Sequence, residues 1–215
     1  IHHIARLTHK YGARILVDGA QLVPHSFIDM KPHCSPEHID YLVFSAHKMY
    51  APFGIGVLIG PRATFEKCPP DYKGGGTVDL VTHNYVKWAK LPDKEEAGTP
   101  NVMGVAALVE SINILSLIGM GYIDEYEKRL TEYAANSLSN IPDIELYYAA
   151  EKNLDKVSII PFNIRGLHHS QTARILSDEA GIGVRSGCFC AQPYVQKLLN
   201  VSPMEIEERK RGILK

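Results

Sequence analysis

The sequence predicts an α/β fold, because helix and strand patterns alternate from its first residues. Residues 2–12 place apolar side chains on one face of an amphipathic helix, and Gly12 ends that pattern. Two short apolar runs follow, at residues 14–17 and 41–44, each typical of a buried strand. This alternation favours a large domain built on a mostly parallel sheet.

The second half of the chain predicts a smaller α+β domain. Strand patterns at residues 145–148 and 157–164 precede a helix at 168–180, with Gly181 at its end. We expect the large α/β domain to cover residues 1–120 and the small domain residues 121–215.

Two helices should join these domains. The apolar spacing of residues 101–118 predicts a buried helix, and Thr99-Pro100-Asn101 is typical of its N-cap. A more polar helix is predicted over residues 122–138. The remaining pattern indicates little regular structure between Pro69 and Pro100, and three short elements: a helix at 61–68, a strand at 182–185 and a helix from 194.

Composition excludes several classes of protein. Of 215 residues, 45% are hydrophobic and 22% charged, with a net charge of −1, so neither a nucleic-acid partner nor a membrane association is expected. Four scattered cysteines do not predict a disulfide scaffold, which favours a cytoplasmic location. The chain lacks an initial methionine and opens within an α/β rhythm, so we expect a fragment.

A lysine follows the second predicted strand, in the segment Phe44-Ser45-Ala46-His47-Lys48-Met49-Tyr50. A weakly polar strand end favours the neutral amine that Schiff-base chemistry needs. Ser45 and His47 are polar donors suited to a phosphate. A single lysine in a loop is more often a solvated surface charge.

An acid follows the first predicted strand, in Val17-Asp18-Gly19-Ala20-Gln21. Open α/β sheets bind ligands at the carboxyl ends of their strands. Asp18 could keep a pyridine nitrogen protonated, and Gln21 could contact a ring oxygen. Alone, an aspartate after a strand is more often a turn or helix-cap residue. The informative feature is the pairing of Asp18 and Gln21 with Ser45, His47 and Lys48 about thirty residues later.

The third segment is a cysteine loop, Arg185-Ser186-Gly187-Cys188-Phe189-Cys190-Ala191-Gln192-Pro193. Its glycine and proline predict an exposed loop. A thiolate near Arg185 could attack a sulfur atom. A buried structural pair, a redox pair or a pair of metal ligands remain alternatives for Cys188 and Cys190.

Together with Gly74-Gly75-Gly76 and Glu96-Ala97-Gly98-Thr99-Pro100-Asn101, these segments resemble the fold-type I pyridoxal-phosphate enzymes of the class V aminotransferase superfamily. Within it, they are most similar to the cysteine desulfurase and selenocysteine lyase group. The segments keep the family's order across most of the chain. The family's N-terminal part and a second substrate-binding arginine have no counterpart here.

The resemblance implies roles for individual residues. Lys48 would bind pyridoxal 5'-phosphate covalently, and Cys190 would take sulfur from L-cysteine as a persulfide. The other expected cofactor ligands are Asp18, Gln21, Ser45, His47 and Thr99. Arg185 would bind the substrate carboxylate. A homodimer is implied, with Gly74–Gly76 and Thr99 reaching the neighbouring subunit's site.

The resemblance also implies a sulfur-acceptor protein, as in iron–sulfur cluster assembly. Cys188 departs from the usual bacterial loop and resembles molybdenum-cofactor sulfurases. Alternatives are another class V enzyme (aminotransferase, epimerase or selenocysteine lyase), a non-catalytic protein that keeps the fold, or a redox or metal-binding protein. No metal site is expected, because Cys34 and the histidines His25, His33 and His38 fit no zinc spacing.

Overall fold

The computed structural model describes residues 1–147 and 156–212. The chain divides into two compact units, Ile1–Lys128 and Arg129–Lys215. The helices are α1 (His2–Lys10), α2 (Arg62–Lys67), α3 (Val102–Ile118), α4 (Met120–Ser139), α5 (His169–Ala180), α6 (Gln192–Leu198) and α7 (Pro203–Lys210). The strands are β1 (Leu16–Asp18), β2 (Tyr41–Ser45), β3 (Gly56–Ile59), β4 (Val78–Val81), β5 (Val86–Trp88), β6 (Ile144–Leu146) and β7 (Phe162–Ile164). The domain assignment at 1–120 and 121–215 stays a prediction.

The first unit contains a three-stranded sheet with β2 at its centre. β1 and β2 are parallel, as predicted, and Asp18 lies opposite Val43. β3 runs antiparallel to β2, with Gly56 opposite Ser45. Among the strands of residues 1–147 and 156–212, β1 and β2 form the only parallel pair.

The segment between Pro69 and Pro100 is more regular than its sequence predicted. β4 and β5 form an antiparallel hairpin with an irregularity between Val78 and Leu80. Thr77, fully buried, donates its hydroxyl to the Gly74 carbonyl at 2.7 Å and so fixes the turn before the hairpin. Cross-strand pairing creates this regularity, which single-strand periodicity does not reveal.

α3 is confirmed as a helix, but its predicted buried face is wrong at all but one position. Of the expected apolar set, Leu115 is buried and the others are exposed, namely Val102, Val105, Ala106, Val109, Ile112 and Ile118. The other buried residues of the helix are Gly104, Leu108 and Ser111. The helix is apolar on nearly every side, so periodicity cannot select the face that packs. Leu108 and Leu115 pack with Ala46, Met49 and Ala51 in the core of the first unit.

Because α3 is apolar and largely exposed, its length and apolarity were compared with those of a membrane-spanning helix. Among the residues that the structure describes, no single helix combines the length and apolarity of a bilayer span. α3 and α4 meet that test only as a pair, bent by 74°.

The second unit pairs β6 with β7 in an antiparallel arrangement. The predicted strand at 157–164 is confined to its last three residues, and residues 182–185 form no strand, contrary to prediction. Tyr148, at the end of the other expected strand, lies outside the described residues. α5 begins as predicted: the His168 side chain and Gln171 form a capping box, and Gly181 ends the helix in a left-handed conformation.

Candidate functional site

The parallel pairing of β1 and β2 brings two of the predicted segments to one edge of the sheet. Asp18 is the last residue of β1, and Ser45 is the last residue of β2. The backbone of Gly19 continues the pairing, since its N–H donates to the Val43 carbonyl at 2.8 Å. The segment after β1 and the turn that carries Lys48 therefore start side by side.

Gly19 lets the chain leave β1 in close contact with β2. A Cβ at Gly19 would lie 2.7 Å from Leu42 Cδ1 and 3.3 Å from the Val43 carbonyl oxygen. The turn then folds back, and the N–H of Ala20 donates to Asp18 Oδ1 at 3.0 Å. This contact fixes the orientation of the exposed Asp18 carboxylate at the sheet edge, where Gln21 is exposed in the following turn.

Lys48 lies in a single turn of 3₁₀ helix, Ala46–Met49, directly after β2. Ala46 and Met49 are buried and anchor the turn in the core, whereas His47 is exposed and Lys48 half-buried. Tyr50 ends the turn in a left-handed conformation. A turn anchored at its first and last residues presents the two basic side chains between them at the sheet edge.

α3 holds this turn through two polar side chains that the sequence did not identify as site residues. The buried Ser111 hydroxyl donates to the Met49 carbonyl. Asn101, the helix N-cap, donates its side-chain N–H to the Phe53 carbonyl at 2.6 Å and accepts from the Gly104 N–H at 2.9 Å. The sequence predicted Asn101 as part of the N-cap, but it did not predict the hydrogen bond from Asn101 to the Phe53 carbonyl, just after the Lys48 turn.

A second brace lies after Gln21. Ser26 Oγ donates to Asp124 Oδ1 at 2.8 Å, and Lys128 Nζ donates to Asp124 Oδ2 at 2.7 Å. Burial opposes ionisation of Asp124, but these two hydrogen bonds hold the pKa of its carboxyl below its ordinary value. Asp124 therefore ties α4 to the turn that follows the candidate site.

The triple glycine lies beside the segment that contains Thr99. The Gly98 N–H donates to the Gly75 carbonyl at 2.8 Å. Gly76 and Gly98 have φ angles of +86° and +83°, a conformation in which glycine avoids strain. The triple glycine and the segment that contains Thr99 therefore form one structure, here called the glycine-turn structure, in which Thr99 is exposed.

The cysteine loop belongs to the second unit and is exposed at Arg185, Cys188 and Cys190. A tight turn closes it, because the Ala191 N–H donates to the Cys188 carbonyl at 2.7 Å. Phe189 and Cys190, at the centre of the turn, have φ angles of +53° and +60°. Such left-handed conformations are costly for residues other than glycine. All four cysteines of the chain have free thiols.

The structure thus gathers Asp18, Gln21, Ser45, His47 and Lys48 around one edge of the first unit's sheet. Thr99 belongs to the glycine-turn structure, and Arg185 and Cys190 to the second unit. Their chemical roles stay predictions. The sheet edge therefore carries five functional groups on a rigid support: an acid, an amide, a hydroxyl, an imidazole and an amine.

A family model described as aminotransferase class-V matches residues 1–204. The chain is 40% identical over 194 residues to a cysteine desulfurase of Wigglesworthia glossinidia brevipalpis, with 89% of this chain and 45% of that protein covered. It is 41% identical over 193 residues to a probable cysteine desulfurase of Staphylococcus aureus strain Mu50, with coverages of 90% and 45%. The chain therefore spans about half the length of these relatives.

Among solved structures, the chain is also similar to cysteine desulfurases. An apo cysteine desulfurase from Thermococcus onnurineus NA1 superposes with a TM-score of 0.84 at 32% identity, over 94% of this chain and 49% of that one. A cysteine desulfurase from Escherichia coli superposes with a TM-score of 0.82 at 32% identity, over 93% of this chain and 47% of that one.

Proposed function

Because the chain belongs to the aminotransferase class-V family, we propose that it is part of a pyridoxal-phosphate-dependent cysteine desulfurase. The expected fold, that of a fold-type I pyridoxal-phosphate enzyme, is confirmed by its superposition on solved cysteine desulfurases. The observation that carries the functional proposal is the parallel register of β1 and β2. It places Asp18, at the end of β1, and the Lys48 turn, which follows β2, at the same edge of the sheet.

The donor set at this edge fits pyridoxal phosphate. The Asp18 carboxylate suits a protonated ring nitrogen, Gln21 a ring oxygen, and the Lys48 amine the aldehyde carbon. Ser45 and His47 suit the phosphate. When bound, the cofactor acts as a sink for the electrons released at the substrate's α-carbon.

Each remaining role belongs to a side chain of this protein. Lys48 Nζ, once free of the cofactor, would accept and return the proton at the substrate's α-carbon. The Arg185 guanidinium would hold the substrate carboxylate. The Cys190 thiolate would attack the substrate sulfur, so that the carbon–sulfur bond breaks as a sulfur–sulfur bond forms. The substrate's β-carbon would keep the bonding electrons and take up a proton, which balances the one lost when the Cys190 thiol ionised. L-cysteine and the enzyme thiol would give L-alanine and the Cys190 persulfide.

A homodimer is part of the proposal. The exposed apolar side chains of α3, among them Met103 and Leu117, support a covered surface in the assembled protein. The exposed Thr99, held beside the glycine turn, supports a phosphate contact supplied to the neighbouring subunit. A sulfur-acceptor protein, as in iron–sulfur cluster assembly, would take the persulfide from the exposed Cys190.

A cytoplasmic location also belongs to the proposal. It is supported by the free, exposed thiols of Cys34, Cys68, Cys188 and Cys190, since exposed thiols persist in reducing compartments.

The first experiment incubates the purified protein with pyridoxal phosphate, reduces it with borohydride and maps the modified peptide by mass spectrometry. We expect one pyridoxyl group, on Lys48. Adducts scattered over exposed lysines such as Lys10 and Lys67 would contradict an organised cofactor site in this chain.

The second experiment separates desulfuration from other class V reactions. Alanine and sulfide formation from L-cysteine is measured, under a thiol reductant, in the parent and in Cys190→Ser. A desulfurase loses both products, whereas an aminotransferase or epimerase keeps its activity on its own substrate. Running the assay with selenocysteine as well distinguishes a selenocysteine lyase.

A further inference from the structure

A cluster of two histidines and one aspartate lies at the opposite end of β2 from Lys48. His9 is in the last turn of α1, and Asp40 directly precedes β2. His38 stacks on His9, with ring centroids 4.2 Å apart. One ligand atom from each of these three side chains lies within 4.8 Å of the others.

The backbone fixes the tautomer of both histidines. His9 Nδ1 lies 2.8 Å from the Pro36 carbonyl, and His38 Nδ1 lies 2.7 Å from the Ser35 carbonyl. Because a carbonyl only accepts, both Nδ1 atoms carry hydrogen. In the neutral rings, both Nε2 atoms therefore present lone pairs. Metal-binding histidines are commonly oriented by a hydrogen bond from the ring nitrogen that does not bind the metal to a carbonyl oxygen.

Both Nε2 atoms face the same carboxylate. His9 Nε2 lies 2.9 Å from Asp40 Oδ2, and His38 Nε2 lies 3.4 Å from Asp40 Oδ1. Asp40 is buried, and the Ile15 N–H at 3.0 Å from Oδ2 holds its carboxylate in place. A positive charge therefore lies among these three groups: either a proton on His9 Nε2, which then donates to Asp40, or a divalent metal ion that displaces this proton.

We propose that His9, His38 and Asp40 bind a divalent transition metal of the zinc class through two imidazole nitrogens and one carboxylate oxygen. Two imidazoles and a carboxylate suit Zn²⁺ and its analogue Co²⁺, with water completing the coordination. The absence of a zinc-like spacing in the sequence does not exclude this site, because its ligands come from a helix and from a loop 29 residues further along the chain.

The metal has a structural role. It joins the end of α1 to the loop before β2, whereas Ser45 and the Lys48 turn follow the far end of that five-residue strand. At about 3.3 Å per residue, roughly 15 Å of strand separates the two sites. The metal would therefore stabilise the first unit without contacting the reacting groups.

Co²⁺ titration of the untagged, chelator-treated protein tests the proposal through the visible d–d spectrum of the bound ion, with Zn²⁺ competition and calorimetry for stoichiometry. We expect one ion per chain, no sulfur-to-cobalt charge-transfer band, and a rise of a few degrees in the unfolding temperature at saturation. His9→Gln and His38→Ala should each weaken binding at least about tenfold.

His3→Ala is the matched control, because His3 lies exposed on the same helix but outside the cluster. It should leave the Co²⁺ affinity unchanged. His38→Ala removes a half-buried side chain without unpairing Ile15, so it keeps the test valid if Asp40→Asn fails to fold. The proposal is overturned if the parent takes up no Co²⁺, if both histidine variants bind as the parent does, or if a charge-transfer band shows cysteine ligands.

Discussion

Lys48 and Cys190 have contrasting surroundings, although both are candidate reactive residues. Lys48 follows a strand paired on both sides, and its turn packs against α3 through Ala46 and Met49. Cys190 lies in an exposed turn with no strand before it, held by one backbone hydrogen bond from Ala191. Under the proposed function, Lys48 would attach the cofactor from a rigid scaffold, whereas the Cys190 thiol would meet both a substrate and an acceptor from an accessible loop.

The largest effects should come from removing the two reactive groups, and the losses should differ in kind. Lys48→Ala should lower desulfuration by at least about 10³-fold and abolish the borohydride-trapped adduct, because it removes both the attachment point and the proton carrier. Cys190→Ser should lower desulfuration comparably but keep the adduct and its visible absorption.

The measurements are single-substrate kinetics and absorption spectra of each variant. If Cys190→Ser also lost the cofactor, the loop would be part of the binding scaffold and the contrast with the Lys48 turn would fail. If Lys48→Ala retained activity, the cofactor site itself would be wrongly assigned.

Adding one methyl group, by a glycine-to-alanine substitution, should have different effects on the free energy of unfolding at the sheet edge and before the cysteine loop. Gly19→Ala should destabilise the protein by about 1–3 kcal/mol, since its Cβ would clash with Leu42 Cδ1 at 2.7 Å. Gly183→Ala, in the segment before the cysteine loop, meets no atom within 4 Å and should change stability by less than about 0.5 kcal/mol. Urea unfolding of both variants provides the comparison. Equal effects would contradict the close packing at the sheet edge.

A smaller effect should follow from loosening the Lys48 turn. Ser111→Ala leaves the Met49 carbonyl without its buried donor, at a cost of about 1–2 kcal/mol. Cofactor affinity should fall several-fold, because the turn that carries Lys48 loses its fixed position. Ser116→Ala, on an exposed face of α3, should be neutral in thermal unfolding and in cofactor titration. A neutral Ser111→Ala would show that the apolar anchors suffice.

These residues also show what the sequence could predict. Asp18 and Lys48 were located because strand ends have a strong local signature, and parallel strands bring such ends together. Ser111 was missed because periodicity in an apolar helix does not select its buried face. The strand predicted at residues 182–185 was wrong, although Ile182 and Val184 favour strand structure. A strand also needs a neighbouring strand to pair with, and the local sequence does not specify one. The same limit concealed His9, whose neighbours come from a distant loop.

The smallest effect concerns the brace after Gln21 and depends on pH. Asp124 has a lowered pKa in the folded state, so its contribution to stability is complete above the unfolded value of about 3.9 and is lost as pH falls through the folded value. Asp124→Asn should therefore cost about 1 kcal/mol at pH 7, and the difference from the parent should shrink below about pH 4.

Thermal unfolding from pH 7 to pH 3 measures this difference, with Glu125→Gln as the exposed neighbouring control. The control should run parallel to the parent at every pH, since Glu125 lies exposed beside the brace. A gap between Asp124→Asn and the parent that stayed constant down to pH 3 would mean that hydrogen bonds of the carboxyl group which Asn does not reproduce, and not its ionised form, join α4 to Ser26.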